Sequence, residues 1–245
     1  MKSSEVRNKF INYFKNKNHH HIASAPLVPI NDPTTLFVSS GMQPLIPYLL
    51  GETHPNGVRL VNSQLCLRAH GFNDDVLDIG DNRHTTFFEM LGNWSLGDYF
   101  KEEQLEWVFD FLVNEIGLDP NKIYVSVFHG DVKTGVEKDT FSINKWKEIF
   151  SKHGIDAEYV ELETEKNASE IGMRGGRIFS YDVKKNWWSR SGPPENMPIG
   201  EPGGPDSELF YDFGTSHNEK YGKNCHPNCD CGRFFEIGNA VFIQF

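Results

Sequence analysis

Two stretches of this chain carry side chains of the right type and spacing for chemistry. The first is Cys225-His226-Pro227-Asn228-Cys229-Asp230-Cys231, three thiols within seven residues. Thiolates joined by an imidazole make tetrahedral zinc sites. Cys225, Cys229 and Cys231 would supply sulfur, and His226 or His217 the fourth ligand. The spacing Cys-x3-Cys-x-Cys is not one of the commonest zinc pairs, and the plain alternative is a loop with free thiols. The second stretch spans Arg68 and Phe88, with His70, Asn73, Asp74, Arg83 and His84 between them. A guanidinium can grip a phosphate or carboxylate by two parallel hydrogen bonds. A Phe on the same surface can stack on a flat base. With Arg83 as a second cation, these residues would cradle a nucleoside triphosphate. The alternative is a surface ion pair for Arg68 and a core position for Phe88. There is no Gly-x-Gly-x-x-Gly and no P-loop. Cys66 stands alone and reads as packing.

The elements that must position these groups follow from periodicity. Ser3 or Ser4 can cap a first helix whose apolar face is Val6, Phe10, Tyr13 and Phe14. Asn18-His19-His20-His21 reads as a turn. Three prolines between Pro26 and Pro33 exclude helix interior and central strand. Residues 34–38 read as a short strand, followed by a short apolar helix ending at Leu50. Val58–Arg68 and Thr85–Leu91 read as strands joined by a long polar loop, an antiparallel pair. Along the first of them, Leu65 and Leu67 share one face, and Gln64, Cys66 and Arg68 the other. Helices are expected at about 101–116 and 142–153, with strands at 123–128, 157–162, 209–211 and 234–245. Residues 189–206, rich in Pro and Gly, read as loop. The class is α+β, an antiparallel or mixed sheet flanked by helices.

Composition narrows the function. The chain has 245 residues, 38% hydrophobic and 13% aromatic, enough for a sizeable core rather than a disordered segment. No apolar run approaches the ~20 residues of a membrane span. The N-terminus has no apolar signal core, so a cytoplasmic location is expected. Four cysteines are too few for a disulfide scaffold. The net charge of −10 argues against a broad nucleic-acid footprint. The basic residues 1–17 and the acidic residues 195–230 read as solvated surface.

The stretch Arg59 to Ala69, then Asn73-Asp74, then Arg83 to Lys101 resembles motif 2 of the alanyl-tRNA synthetase family. The run Thr86 to Lys101 is highly specific to that family. Ser24 to Pro29 and Asp32 to Phe37, ending in Gly41-Met42, resemble its motif 1 region. Asn186-Trp187-Trp188, Gly204 to Asp212 and Glu236 to Phe242 match further blocks in the same order. The resemblance covers nearly the whole chain, residues 1–245, as a class II catalytic domain. Motif 1 lies at about 1–50, motif 2 at about 58–101 and the pocket strands at about 186–245.

The resemblance implies that ATP and alanine bind on the sheet and condense to alanyl-adenylate, which charges tRNA(Ala). It implies that Arg68 meets the α-phosphate and the alanine carboxylate, that Arg83 and His84 sit near the outer phosphates, and that Phe88 stacks on adenine. Trp188 and Val241 would shape a small pocket with Asn239 beside the substrate. Mg2+ would accompany ATP. A short pocket separates side chains differing by one methylene by only about 1–3 kcal/mol, so editing would have to occur elsewhere. This sequence departs from the family at Gly203 and Asp206, where it commonly has cysteines, and at Gly238, where it has Trp. The chain ends before motif 3, so truncation is expected, with a C-terminal half or second chain supplying the remainder. The final strand should then be weakly paired. The alternative is a non-catalytic ATP- and alanine-binding module with a structural zinc knot.

Overall fold

The computed structural model describes residues 1–30, 35–68 and 85–244. They form two compact units, residues 1–99 and 100–245.

The first unit is built on a three-stranded sheet of order β1-β2-β3. Its strands are His20–His21 (β1), Arg59–Leu67 (β2) and Phe87–Ser95 (β3). β2 and β3 are antiparallel, with Cys66 opposite Phe88 and Gln64 opposite Met90. β1 pairs parallel to β2, so the expected turn at 18–21 is a turn only up to Asn18. Helix α1, Ser3–Lys15, packs Phe10, Tyr13 and Phe14 into the core, and a short helix, α2, follows at Ile46–Leu49. Its first turn is closed by Glu5, whose carboxylate accepts from the Lys2 N–H at 2.8 Å, rather than by a serine. A bidentate pair from Arg7 to Glu89 ties α1 to β3. Gly92 is required beside Trp94, because a Cβ there would lie 2.1 Å from the indole. That indole donates to Asn62 Oδ1 at 2.9 Å.

One reading of this unit is corrected, and the buried face of β2 is settled. Residues 35–38 form no strand. Val38 instead bridges two segments, donating to Leu27 O and accepting from the Leu67 N–H. Along β2 the mixed face is the buried one: Gln64 and Cys66 are fully buried while Leu65 is 39% exposed. Gln64 tolerates burial because its amide grips the Ala25 backbone, accepting at 2.8 Å and donating at 3.0 Å.

His19 is buried. Its Nδ1–H donates to Phe14 O at 3.0 Å and its Nε2 accepts from the Tyr99 hydroxyl at 2.9 Å. Burial pushes its pKa down to about 4. An unfolded imidazole titrates near ~6.5. Between those values the unfolded chain binds a proton that the folded chain refuses. The contribution is therefore complete above about pH 6.5 and is lost as pH falls toward 4. His19→Asn should remove about 1–3 kcal/mol of that acid sensitivity. Urea midpoints near pH ~7 and ~4.5 for both proteins measure it. An equal acid loss in the two would show that His19 is not the cause.

The second unit centres on a six-stranded mixed sheet. Its strands are Ile123–Phe128 (β4), Tyr159–Glu163 (β5), Ile178–Tyr181 (β6), Trp187–Ser189 (β7), Gly203–Asp212 (β8) and Phe234–Val241 (β9). β5, β6 and β4 run parallel; β8 is antiparallel to β4, β7 and β9. The helices between them are α3 (Lys101–Asp110, continued by a wide turn over Phe111–Glu115), α4 (Thr140–Lys152) and α5 (Glu165–Ile171). Asp139 caps α4, accepting from the Ser142 N–H, and Thr164 caps α5. Trp146 of α4 is fully buried with Phe109 and Phe150 around it. On the other side of the sheet, Leu162, Ala168, Phe179 and Tyr181 form a second cluster.

The class expected from sequence, α+β with a mixed sheet flanked by helices, is the class found, although the described strands form two sheets. Three strand assignments are corrected. β6 and β7 were not expected, and β8 begins at Gly203, inside the Pro/Gly-rich segment read as loop. The ladder tolerates Pro205 because the group it uses there is a carbonyl, which accepts from the Phe242 N–H at 2.9 Å. Among the described residues, β9 pairs with β8 alone. No described helix is long and apolar enough to cross a membrane.

Candidate active site

In the first unit the β2–β3 register brings Arg68 and Phe88 onto one face. Cys66 lies directly opposite Phe88, and Arg68 follows one pleat later, its N–H bonded to Thr86 O. The guanidinium carbon sits 5.2 Å from the Phe88 ring centroid. Its Nε donates to Ser39 O at 2.9 Å, which fixes the direction of the fork. Arg68 is exposed and Phe88 half-buried, so cation and ring form one accessible surface. Cys66 beneath them is fully buried, and burial raises its thiol pKa. Arg83 and His84 lie outside the described residues.

In the second unit β8 collects the other three expected residues. Trp188 of β7 is opposite Gly204, Val241 of β9 opposite Asp206, and Asn239 opposite Glu208. Gly204 cannot be replaced without moving β9, since a Cβ there would stand 1.9 Å from Phe242 O.

Three residues on this sheet were not assigned from sequence. Asp206 and Glu208, two apart on β8, point to the same face and are almost completely buried. Fully buried Asn186 donates from Nδ2 to Asp206 Oδ1 at 3.0 Å and to Ser126 Oγ at 2.8 Å. Ser126 in turn donates to Glu208 at 3.2 Å. Asn186 Oδ1 is buried without a hydrogen-bond partner. Burial pushes Asp206 up to about 7, with Glu236 adding to the rise and Asn186 opposing it. Burial raises Glu208 well above the carboxylate range, helped by Glu236 and Asp206. The cluster is thus a set of acceptors that holds negative charge poorly by itself. A bound cation would relieve it. The Asp-x-Glu alternation inside a strand was the available signal, hidden by the glycines and proline before it.

Of the four residues expected to hold zinc, three converge and one does not. Cys225 and Cys231 Sγ lie 3.5 Å apart, and Cys229 Sγ lies 3.9 Å from His217 Nδ1. His226 instead is buried, with its Nδ1 3.0 Å from the Tyr181 hydroxyl, and burial lowers its pKa to about 4. Of the two imidazoles offered from sequence, His217 lies with the thiols and His226 does not. A separate group, His129 with Glu161 and Glu163, is also compact, but Lys138 pairs with Glu161 there.

A family model described as tRNA synthetases class II (A) matches residues 5–245. The chain belongs to this family. It is 42% identical to an alanine–tRNA ligase of Borrelia hermsii over 249 aligned positions, covering 100% of this chain and 35% of that protein. It is 40% identical to an alanine–tRNA ligase of Treponema denticola, covering 98% of this chain and 34% of that one. An alanine–tRNA ligase of Petrotoga mobilis is 36% identical, with 23% of its length covered. The chain spans about a third of the length of the first two relatives. The class II family assignment agrees with the resemblance carried by the residues around Arg68 and Phe88.

Proposed function

We propose that this synthetase chain is the ATP- and alanine-binding part of an alanine–tRNA ligase. The observation that carries the reading is the Arg68 guanidinium held 5.2 Å from the Phe88 ring on one exposed sheet face. Relatives named alanine–tRNA ligase align over this whole chain, which supports the choice of amino acid.

The reaction joins two anions. An oxygen of the alanine carboxylate attacks the α-phosphorus of ATP, the bond to the bridging oxygen breaks, and pyrophosphate leaves with its electron pair. Positioning and charge neutralisation govern such a step more than proton transfer. Arg68 lies against both reactants and offsets their repulsion through its fork of donors. Phe88 stacks on adenine and fixes the direction from which the phosphate arrives. Arg83 and His84 contact the outer phosphates. Magnesium carried on the triphosphate supplies further neutralisation.

Within the second unit, Asp206 and Glu208 suit a primary ammonium such as alanine's. Binding it restores their ionised form and gives the bare Asn186 Oδ1 a donor. Trp188 and Val241 leave space for a methyl group, and Asn239 lies directly opposite Glu208. Transfer to tRNA(Ala) would follow by attack of a ribose hydroxyl on the adenylate carbonyl, with AMP leaving. Such a chain would work in the cytoplasm, and the parts of a longer protein would supply tRNA contacts.

ATP affinity should fall about 10- to 150-fold in Arg68→Ala, the effect of losing a charge-assisted contact of about 1.5–3 kcal/mol. Titration calorimetry on the chain measures it directly. Alanine-dependent exchange of pyrophosphate into ATP tests the reaction. Unchanged ATP binding in the variant would sink the assignment of Arg68, and exchange driven by another amino acid equally well would sink that of alanine.

A further inference from the structure

The connection between β8 and β9 runs over residues 213–233 and contains one short turn of 3-10 helix, Glu219–Tyr221. Connections longer than about 12–15 residues without regular structure are uncommon in compact domains unless something holds them. The base of this one is held by Arg233, which pairs bidentately with Asp212 at 3.0 and 2.7 Å. The tip contains the thiols.

We propose that the tip binds one structural zinc ion through Cys225, Cys229, Cys231 and His217. Their four donor atoms all lie within 4.8 Å of one another. A tetrahedral zinc with bonds of about 2.3 Å to sulfur and 2.0–2.1 Å to nitrogen has S···S edges of about 3.8 Å and S···N edges of about 3.6 Å. The observed Cys225–Cys231 edge is 3.5 Å and the Cys229–His217 edge 3.9 Å. The 3.5 Å separation is far beyond the ~2.05 Å of a disulfide.

The orientation of His217 is the independent support. Its Nε2 lies 2.8 Å from Gly222 O. A carbonyl can only accept, so Nε2 carries the proton and Nδ1 presents its lone pair, on the side where Cys229 lies. Metal-bound histidines are held this way, with the far nitrogen donating to a carbonyl or carboxylate. The carbonyl is available because Gly222 adopts φ +129, a conformation that side chains rarely allow. Four protein ligands close the coordination shell, so the ion is a staple and not a Lewis acid for the reaction. The staple would fix the hairpin whose strands carry Asp206, Glu208, Asn239 and Val241.

The test is metal analysis of the 245-residue chain after dialysis against a weak chelator, with the parent also loaded with cobalt. About one zinc per chain is expected, with the visible bands of tetrahedral thiolate-bound cobalt. Cys229→Ser and His217→Gln should lose the ion to background, while His226→Gln retains it. The parent's cobalt spectrum decides the matter even where a variant does not fold. Zinc at background, or cobalt bands lacking thiolate charge transfer, would overturn the site. Retention by His217→Gln with loss in His226→Gln would overturn the ligand set.

Discussion

Trp146→Ala should destabilise the second unit by about 3–5 kcal/mol, the range for emptying a buried aromatic site. The indole is fully buried against Phe109 and Phe150. Its Nε1–H donates to Ser207 Oγ at 2.8 Å, and Ser207 donates onward to Ser126 O at 2.7 Å. Removing it leaves a large cavity between α4 and the sheet and strips Ser207 of a donor. Trp146→Phe refills most of the volume and should cost only about 1–2 kcal/mol, chiefly the hydrogen bond. Urea unfolding followed by circular dichroism measures both. Equal losses in the two variants would mean that the hydrogen bond, and not the volume, is what matters.

The consequence reaches the proposed site. Ser207 lies between Asp206 and Glu208 on β8, and Ser126, whose carbonyl accepts from the Ser207 hydroxyl, also holds Glu208 by donating from its own hydroxyl. One side of the strand is nailed to α4, and the opposite side presents the two acids. A rigid backbone at Ser207 is what allows two carboxylates to remain buried side by side. The unfavourable burial of Asp206 and Glu208 is sustained by packing on the far face of the same strand. Strain kept in this way is common where a site must wait for an ion of opposite charge.

How much of this could be read in the sequence depended on the range of the contacts. That Arg68 and Phe88 share a face follows from strand alternation and a hairpin register, both local, and so it was legible. The thiols were legible by type and spacing. The choice between the two imidazoles was not, because His217 comes near Cys229 only through the Gly222 turn, and adjacent His226 is drawn off by Tyr181 from a distant strand. β8 was misread because Gly203-Gly204-Pro205 is loop chemistry by propensity; its strand character comes from the carbonyls that β9 uses. Strand alternation separates Leu65 from Gln64 but does not say which face is buried; Gln64 is the buried one, since the Ala25 backbone satisfies it. Such satisfaction comes from a segment 39 residues away and has no local signature.

Asp139→Ala should cost a further about 3–5 kcal/mol, because it abandons a buried cation. Lys101 and Asp139 are paired at 2.9 Å with side chains 8% and 2% exposed. Asp139 also accepts from the Ser142 N–H and hydroxyl, so the same carboxylate starts α4. The Lys101 ammonium stands 5.4 Å from the Phe242 ring, one residue beyond Val241. The pair therefore links the first residue of α3, the cap of α4 and the end of β9. Asp139→Asn keeps the cap but not the charge, and should recover about 1 kcal/mol of the loss. Lys101→Met combined with Asp139→Leu removes both charges and replaces them with apolar volume. That double variant should be more stable than Asp139→Ala, since no charge is left without its partner. Thermal unfolding of the four proteins separates the terms. If the double variant fell as far as Asp139→Ala, the cost would lie in the lost cap and packing, and the buried lysine would not be its source.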